Sequence, residues 1–188
     1  MYDVMEYQEH EIGEPYIIPI KTPNFKDRFL DDHKHYTKSN INVCYAAPRS
    51  AGKPRDWYET QLTVPKKIRE KKDYPLKSIP FYAVTDDGFA FLAHTTSQNN
   101  KQFAAVGDEL ILGRWLKGRL VEDKLVEPID DVSADTERLS MITSEMLEEY
   151  GCNAIAFQKT DLRMSDPEQP NNSYEIWTLK LVNIEDIE

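Results

Sequence analysis

Hydrophobic and polar positions along this chain alternate in short runs more often than they recur at helical spacing, and Gly, Pro, Asn and Asp punctuate the runs. From Asp56 the segment WYETQLTVP puts Trp57, Glu59, Gln61 and Thr63 on one side and Tyr58, Thr60, Leu62 and Val64 on the other until Pro65 stops it. That alternation predicts a half-buried strand. FYAV, then Thr85, Asp86, Asp87 and Gly88, then FAFLAHT predicts a hairpin, because Asp-Gly accepts the positive φ of a tight loop. DELILGRWLKGRL (108–120) joins a strand-like start to a helix-compatible GRWLKGRL, with Trp115 and Leu116 facing inward and Arg114, Lys117 and Arg119 solvated. SEMLEEY predicts a short helix, with Thr143 or Ser144 as its cap and Gly151 just past its end. NAIAFQKT and YEIWTLKLV read as strands separated by the polar loop DPEQPNNS. The sum is a mainly β domain with two short helices, a barrel or pseudobarrel.

Charge changes this picture most. Residues 1–20 carry five acidic and no basic side chains, residues 21–120 carry 18 basic and 11 acidic, and residues 121–188 carry 5 basic and 17 acidic. A chain of net charge −10 therefore holds a cationic middle of +7 between acidic ends of −5 and −12. Such a stretch fits a selective polyanion site, whereas folding that interleaves the charges would leave no patch. At 188 residues, 40% of them hydrophobic, the chain can build one sizeable core. No run approaches the roughly 18 apolar residues of a membrane span, and the acidic start is unlike a secretory signal, so a soluble cytoplasmic protein without membrane contact is expected. Cys44 and Cys152 form no paired motif and read as small core residues.

Catalytic motifs are missing: there is no GxxxxGK, GxGxxG, GxSxG or HExxH. His33 and His35 sit in a charged DDHKHY stretch that reads as solvated surface, and the turn accounts for Asp86 and Asp87. VEDK (122–124 for its charged residues) resembles part of a magnesium-binding nuclease site but has no companion aspartate on a strand.

Two loop segments hold chemistry suited to a duplex. In PRSAGKPRDWYE, Arg49, Ser50, Lys53 and Arg55 lie among Pro48, Gly52 and Pro54, and a guanidinium fork binds phosphate or the O6/N7 edge of guanine. Asp56 either accepts from a cytosine amino group or orients Arg55 by a salt bridge. In TTSQNNKQF, Gln98, Asn99 and Asn100 offer paired amide donors and acceptors for adenine, and Lys101 offers a point charge. Each loop taken singly is equally well an ordinary solvated turn. The run Lys66, Lys67, Arg69, Lys71 and Lys72 adds candidate phosphate contacts or is a solvated face.

PRDWYETQLTVP, FYAVTDDGFAFLA, TTSQNNKQF, DELILGRWLKGRL and MLEEYGCNAIAFQKTD, in this order and spacing, resemble the landmarks of the B3-like DNA-recognition domains of prokaryotic type II restriction endonucleases, including the phospholipase-D-type enzymes. The resemblance covers roughly residues 41–181, leaving 1–40 as a flanking extension and 41–188 as the recognition domain. It implies a seven-stranded pseudobarrel gripping the major groove of double-stranded DNA. Its N-terminal arm would be Arg49 to Trp57 and its C-terminal arm Thr95 to Gln102, with Thr96, Ser97 and Gln102 among the contacts and Arg114, Lys117 and Arg119 near the backbone. The HxK motif of the phospholipase-D nuclease is absent. A monomeric, non-catalytic recognition or effector domain is thus expected, needing no cofactor itself, with Mg²⁺ belonging to a nuclease domain of the parent enzyme. The rival readings are a metal-dependent nuclease around Glu122 or Asp86 and an acidic protein-interaction module.

Overall fold

The computed structural model describes residues 3–29 and 40–187, so His33 and His35 lie outside the described residues. The chain divides into two units built from separated stretches, one from Met1–Pro19, Thr63–Gly107 and Ala154–Glu188, the other from Ile20–Leu62 and Asp108–Asn153. In chain order the regular elements are α1 (Val4–Glu9), β1 (Tyr16–Pro19), β2 (Leu62–Thr63), α2 (Lys66–Arg69), β3 (Phe81–Thr85), β4 (Ala90–Thr96), β5 (Gln102–Ala105), α3 (Ile111–Glu122), α4 (Ser144–Tyr150), β6 (Ala154–Ser165) and β7 (Ser173–Val182). The protein is mainly β: its seven strands form a curled half-barrel in the order β1-β6-β7-β3-β4-β5-β2. The two expected helices are α3 and α4. The further two, α1 of six residues and α2 of four, are too short for periodicity to reveal.

The first unit carries the sheet. Its predicted hairpin is β3–β4, antiparallel with Ala83 opposite Phe91. Gly88 has φ +87°, and the Thr85 amide donates to the Phe89 carbonyl at 2.8 Å. Asp86 and Asp87 serve the turn: an Asp86 carboxylate oxygen accepts from the Leu181 amide at 3.0 Å, and Asp87 accepts from the Thr85 hydroxyl. β7 lies between β6 and β3, antiparallel to the first and parallel to the second, with Trp177 opposite both Lys159 and Ala83. Its core is aromatic. Phe157 stacks on Trp177 at 4.3 Å between centroids, and Phe81, Phe103 and Tyr16 pack around the pair. Burial and the Asp73 carboxylate that accepts its hydroxyl push the Tyr16 pKa up.

The second unit packs Ile41, Cys44, Leu112, Trp115, Leu116, Leu120, Met141, Ile142 and Leu147 into its interior. Buried Asn42 behaves like a strand residue, its side-chain amide donating to the Ile142 carbonyl at 2.8 Å and its oxygen accepting from the Ile142 amide at 2.9 Å. α4 has Thr143 at its N-cap position, without a side-chain cap hydrogen bond, and stops as expected at Gly151, whose φ of +90° suits glycine. Cys44 is buried; Cys152 is only half-buried.

The segment 57–63 departs from the expected strand. Only Leu62–Thr63 pairs as one. Burial follows Trp57 and Glu59, then changes phase to Leu62 and Val64, so both predicted faces contribute to the interior. The cause lies in α3. The Lys117 ammonium takes the Trp57 and Glu59 carbonyls, the latter at 3.4 Å, which would otherwise enter a ladder. Gly113 lets the Tyr58 carbonyl come so near that a Cβ there would sit 1.6 Å from its oxygen. Among the described residues, no helix is long and apolar enough to cross a membrane.

Candidate nucleic-acid interface

The loop around Arg49 belongs to the second unit. Pro48 and Pro54 deny the backbone a regular ladder, and Gly52, at φ +73°, turns the tip so that Ser50 and Lys53 bridge across it. The tip is exposed, and Lys53 projects from it. The two arginines do not stand free. Glu59 Oε1 accepts from Arg49 Nη2 and, at 2.7 Å, from Arg55 Nη1. Arg49 Nη1 also reaches Glu109 at 3.0 Å, and Arg55 Nε donates to the Ala47 carbonyl at 2.9 Å. Exposure separates the pair: the Arg49 side chain is 59% exposed, that of Arg55 17% and that of Glu59 9%. Arg55 therefore ties the two ends of the loop together, and Arg49 faces solvent.

Asp56 is not the partner of Arg55. Its carboxylate accepts from the Tyr58 amide at 2.8 Å, closing a turn, and Glu59 occupies the role that sequence allotted to it. Trp57 and Lys117 also differ from expectation. Trp57 is 2% exposed, with its indole N–H donating to the Ser140 carbonyl at 2.8 Å, so its ring is core. Lys117 is fully buried beneath it, over the Trp57 ring at 4.7 Å and 3.6 Å from Cys44 Sγ. Neither side chain is on a surface that meets a duplex. Burial pushes the Lys117 pKa down and the Cys44 thiol up. Arg114 is exposed and paired with Asp108 at 2.9 Å; the Leu110 amide and then Arg114 hold that carboxyl below its ordinary value. Arg119 donates to the Tyr150 hydroxyl at 2.7 Å.

The loop 95–102 belongs to the first unit and leaves β4 for β5. Thr95 is buried, with its hydroxyl near the Pro75 carbonyl at 3.3 Å. Ser97, Asn99 and Asn100 all have positive φ, +67°, +59° and +53°, which asparagine tolerates best among residues other than glycine. Three outside groups hold this backbone: Arg69 donates to the Asn99 carbonyl at 3.1 Å, the Tyr74 hydroxyl to the Asn100 carbonyl at 2.8 Å, and the Val64 amide to the Lys101 carbonyl at 2.7 Å. Ser97 and Gln102 close the neck by a 2.7 Å side-chain bond. With its carbonyls drawn inward, the loop leaves Gln98 and Asn99 exposed and Asn100 and Lys101 partly so. Thr96 is half-buried at its start. Burial pushes the Tyr74 phenol up to about 12, so it stays a donor at neutral pH.

Of the predicted contacts, the structure thus gathers Arg49, Ser50, Lys53, Arg55 and Asp56 on one loop and Thr96 to Gln102 on another, in different units. Sequence reasoning missed Glu59, which the strand pattern left as one of several alternating residues, and Tyr74, and it read Arg69 as a phosphate contact or solvated face where the side chain holds the second loop. The four-residue spacing from Arg55 to Glu59 was the available signal for the first. Among the described residues, no group of three or more His, Cys, Asp or Glu is placed to hold a metal ion.

A curled, mainly β sheet of seven strands defines the class by its fold, a half-barrel consistent with a B3-like pseudobarrel. The family model of the NgoFVII C-terminal B3-like DNA-binding domain matches residues 17–161, well over half of the chain. The chain belongs to that family of B3-like DNA-binding domains of restriction endonucleases, and DNA is its partner. The match begins at β1, far before the residue 41 at which the resemblance in the sequence starts. No curated protein matches the chain.

Proposed function

We propose that this chain binds double-stranded DNA sequence-specifically in the major groove through the loops 49–56 and 96–102, as the recognition or effector domain of a restriction endonuclease, and that it catalyses nothing itself. The observation that carries the reading is the pinned loop 97–101, whose carbonyls are held by Val64, Arg69 and Tyr74 while Gln98 and Asn99 face outward. A fixed backbone that presents amides lowers the ordering cost of base contacts, and Gln or Asn bidentate to adenine is a common pairing. Arg49 offers the guanidinium, Lys53 and Lys101 offer point charges, and Arg114 supports a backbone contact. In this reading the isolated domain is monomeric and needs no cofactor, and any Mg²⁺ belongs to a linked nuclease domain.

Selection from a randomised duplex pool, followed by titration with Mg²⁺ present, tests it. One enriched motif is expected, bound at least about a thousandfold tighter than a scrambled duplex and left uncut. Lys101→Ala should cost about 1–3 kcal/mol and relax one base position if its ammonium reads a base edge. Failure to enrich any motif at low salt would overturn the reading in favour of a protein-interaction module, and Mg²⁺-dependent cleavage would reveal a nuclease.

A further inference from the structure

We infer that Glu59 is a positioning residue for DNA recognition: its shielded carboxylate aims Arg49 and offsets the charge of the arginine pair until a matching base edge competes for it. The inference rests on the DNA-reading role proposed above.

Three observations lead there. First, the geometry is convergent, because one oxygen, Glu59 Oε1, accepts from both Arg49 and Arg55. A carboxylate whose side chain is 9% exposed is poorly hydrated and holds its partners more firmly than a surface ion pair does. Second, the two arginines are unequal. Arg55 is 17% exposed and spends Nε on the Ala47 carbonyl, so it braces the loop. Arg49 is 59% exposed and is gripped at both terminal nitrogens, by Glu59 within and by Glu109 at 3.0 Å without. Its plane is fixed although its face is open. Third, the backbone of Glu59 is itself anchored, since the Lys117 ammonium sits 3.4 Å from its carbonyl and also takes that of Trp57. The orienting carboxylate thus stands on a rigid root.

Charge then decides what the loop binds. Two carboxylates face two guanidiniums, so the loop presents little net positive charge to a bare phosphate backbone, and non-specific attraction is weak. A guanine edge offers Arg49 directed acceptors that phosphate attraction alone does not replace. Orientation by Glu59 should therefore raise the specific affinity and lower the non-specific one, whereas a residue needed only for folding would move both together.

The experiment uses the full chain, the duplex enriched from the randomised pool, and a scrambled duplex of equal length. Glu59→Gln keeps the shape and one acceptor but removes the charge. Binding to the enriched duplex should weaken about 10- to 100-fold. Binding to the scrambled duplex should tighten about threefold, with a salt dependence steeper by about one unit in the log–log slope. Equal losses on both duplexes, or no change on either, would overturn the inference. If the wild-type chain itself enriches no motif, the DNA-reading role fails and the inference falls with it; if it does and the variant keeps its specificity ratio, only the inference fails. Should Glu59→Gln lose its cooperative thermal transition, Glu109→Gln decides. Glu109 is 70% exposed and holds only the outer end of Arg49 in that ion pair, so the same opposed shifts are expected at smaller size, and unchanged affinities would overturn the inference.

Discussion

Lys117 has its charge in the interior of its unit, and the pH dependence of stability should report it. Burial lowers its pKa below the ordinary 10.5, so the folded chain binds fewer protons than the unfolded chain between the lowered value and 10.5. Stability from this group must therefore rise with pH through that window, by up to about 1.4 kcal/mol per pH unit. Urea titrations of the wild type and of Lys117→Met, carried from neutral pH up to 10.5, should show the stability difference moving toward the wild type as pH rises. A difference independent of pH over that whole range would mean that Lys117 loses no proton affinity on folding. Little in the sequence warns of this, because a lysine between Arg114 and Arg119 looks solvated. The sign to look for was Gly113, one turn before Lys117 on the same face, where a missing side chain admits the backbone whose carbonyls the ammonium binds. Trp57 misled in the opposite way. An aromatic ring at the end of a basic loop suits a base, yet its N–H already has the Ser140 carbonyl.

On α3 two glycines make the same contrast with opposite signs. Helix propensity favours alanine over glycine by about 1 kcal/mol. Nothing lies within 4 Å of a Cβ added at Gly118, so Gly118→Ala should stabilise by about 0.5–1 kcal/mol. At Gly113 the added Cβ meets the Tyr58 carbonyl at 1.6 Å, so Gly113→Ala should destabilise by about 3 kcal/mol or more and shift the root of the Arg49 loop. Denaturant midpoints check both, and similar effects at the two sites would contradict the close approach. Elements whose cause is local were legible. The β3–β4 turn follows from Asp-Gly, and the end of α4 from Gly151. The segment after Asp56 was not, because alternation describes it while a distant helix removes its carbonyls from any ladder. The loop after β4 was half-legible: its amides stand out in sequence, but of the two side chains that hold it Tyr74 carries no local mark and Arg69 reads as one cation of a basic run.

For the whole chain, a net charge of −10 opposes loose association with a polyanion. At about 0.15 M salt, binding to a scrambled duplex should fall near the weak end of the usual range, with a Kd of about 10⁻⁴ M. A specific complex should be at least about a thousandfold tighter, and titrations at two salt concentrations measure both. Tight binding to any duplex would show that the cationic middle acts as an unselective patch. The charge reversal and the β-rich class were readable from the chain alone. Its division into two interleaved units was not, since it depends on partners such as Tyr16 and Phe157 that meet only at the scale of the full chain.

The position of β7 between β6 and β3 has a consequence for synthesis. Without residues 173–182, β1 and β6 have no neighbour on one side, and the β3–β4–β5 group has a bare edge where Trp177 belongs. In chain order β7 is the last strand of this sheet, so a growing chain that has not reached it holds two half-sheets that nothing joins. A chain cut before residue 173 should therefore fail to close its sheet, and the strand signal of its far-ultraviolet circular dichroism should drop by more than ten residues' worth.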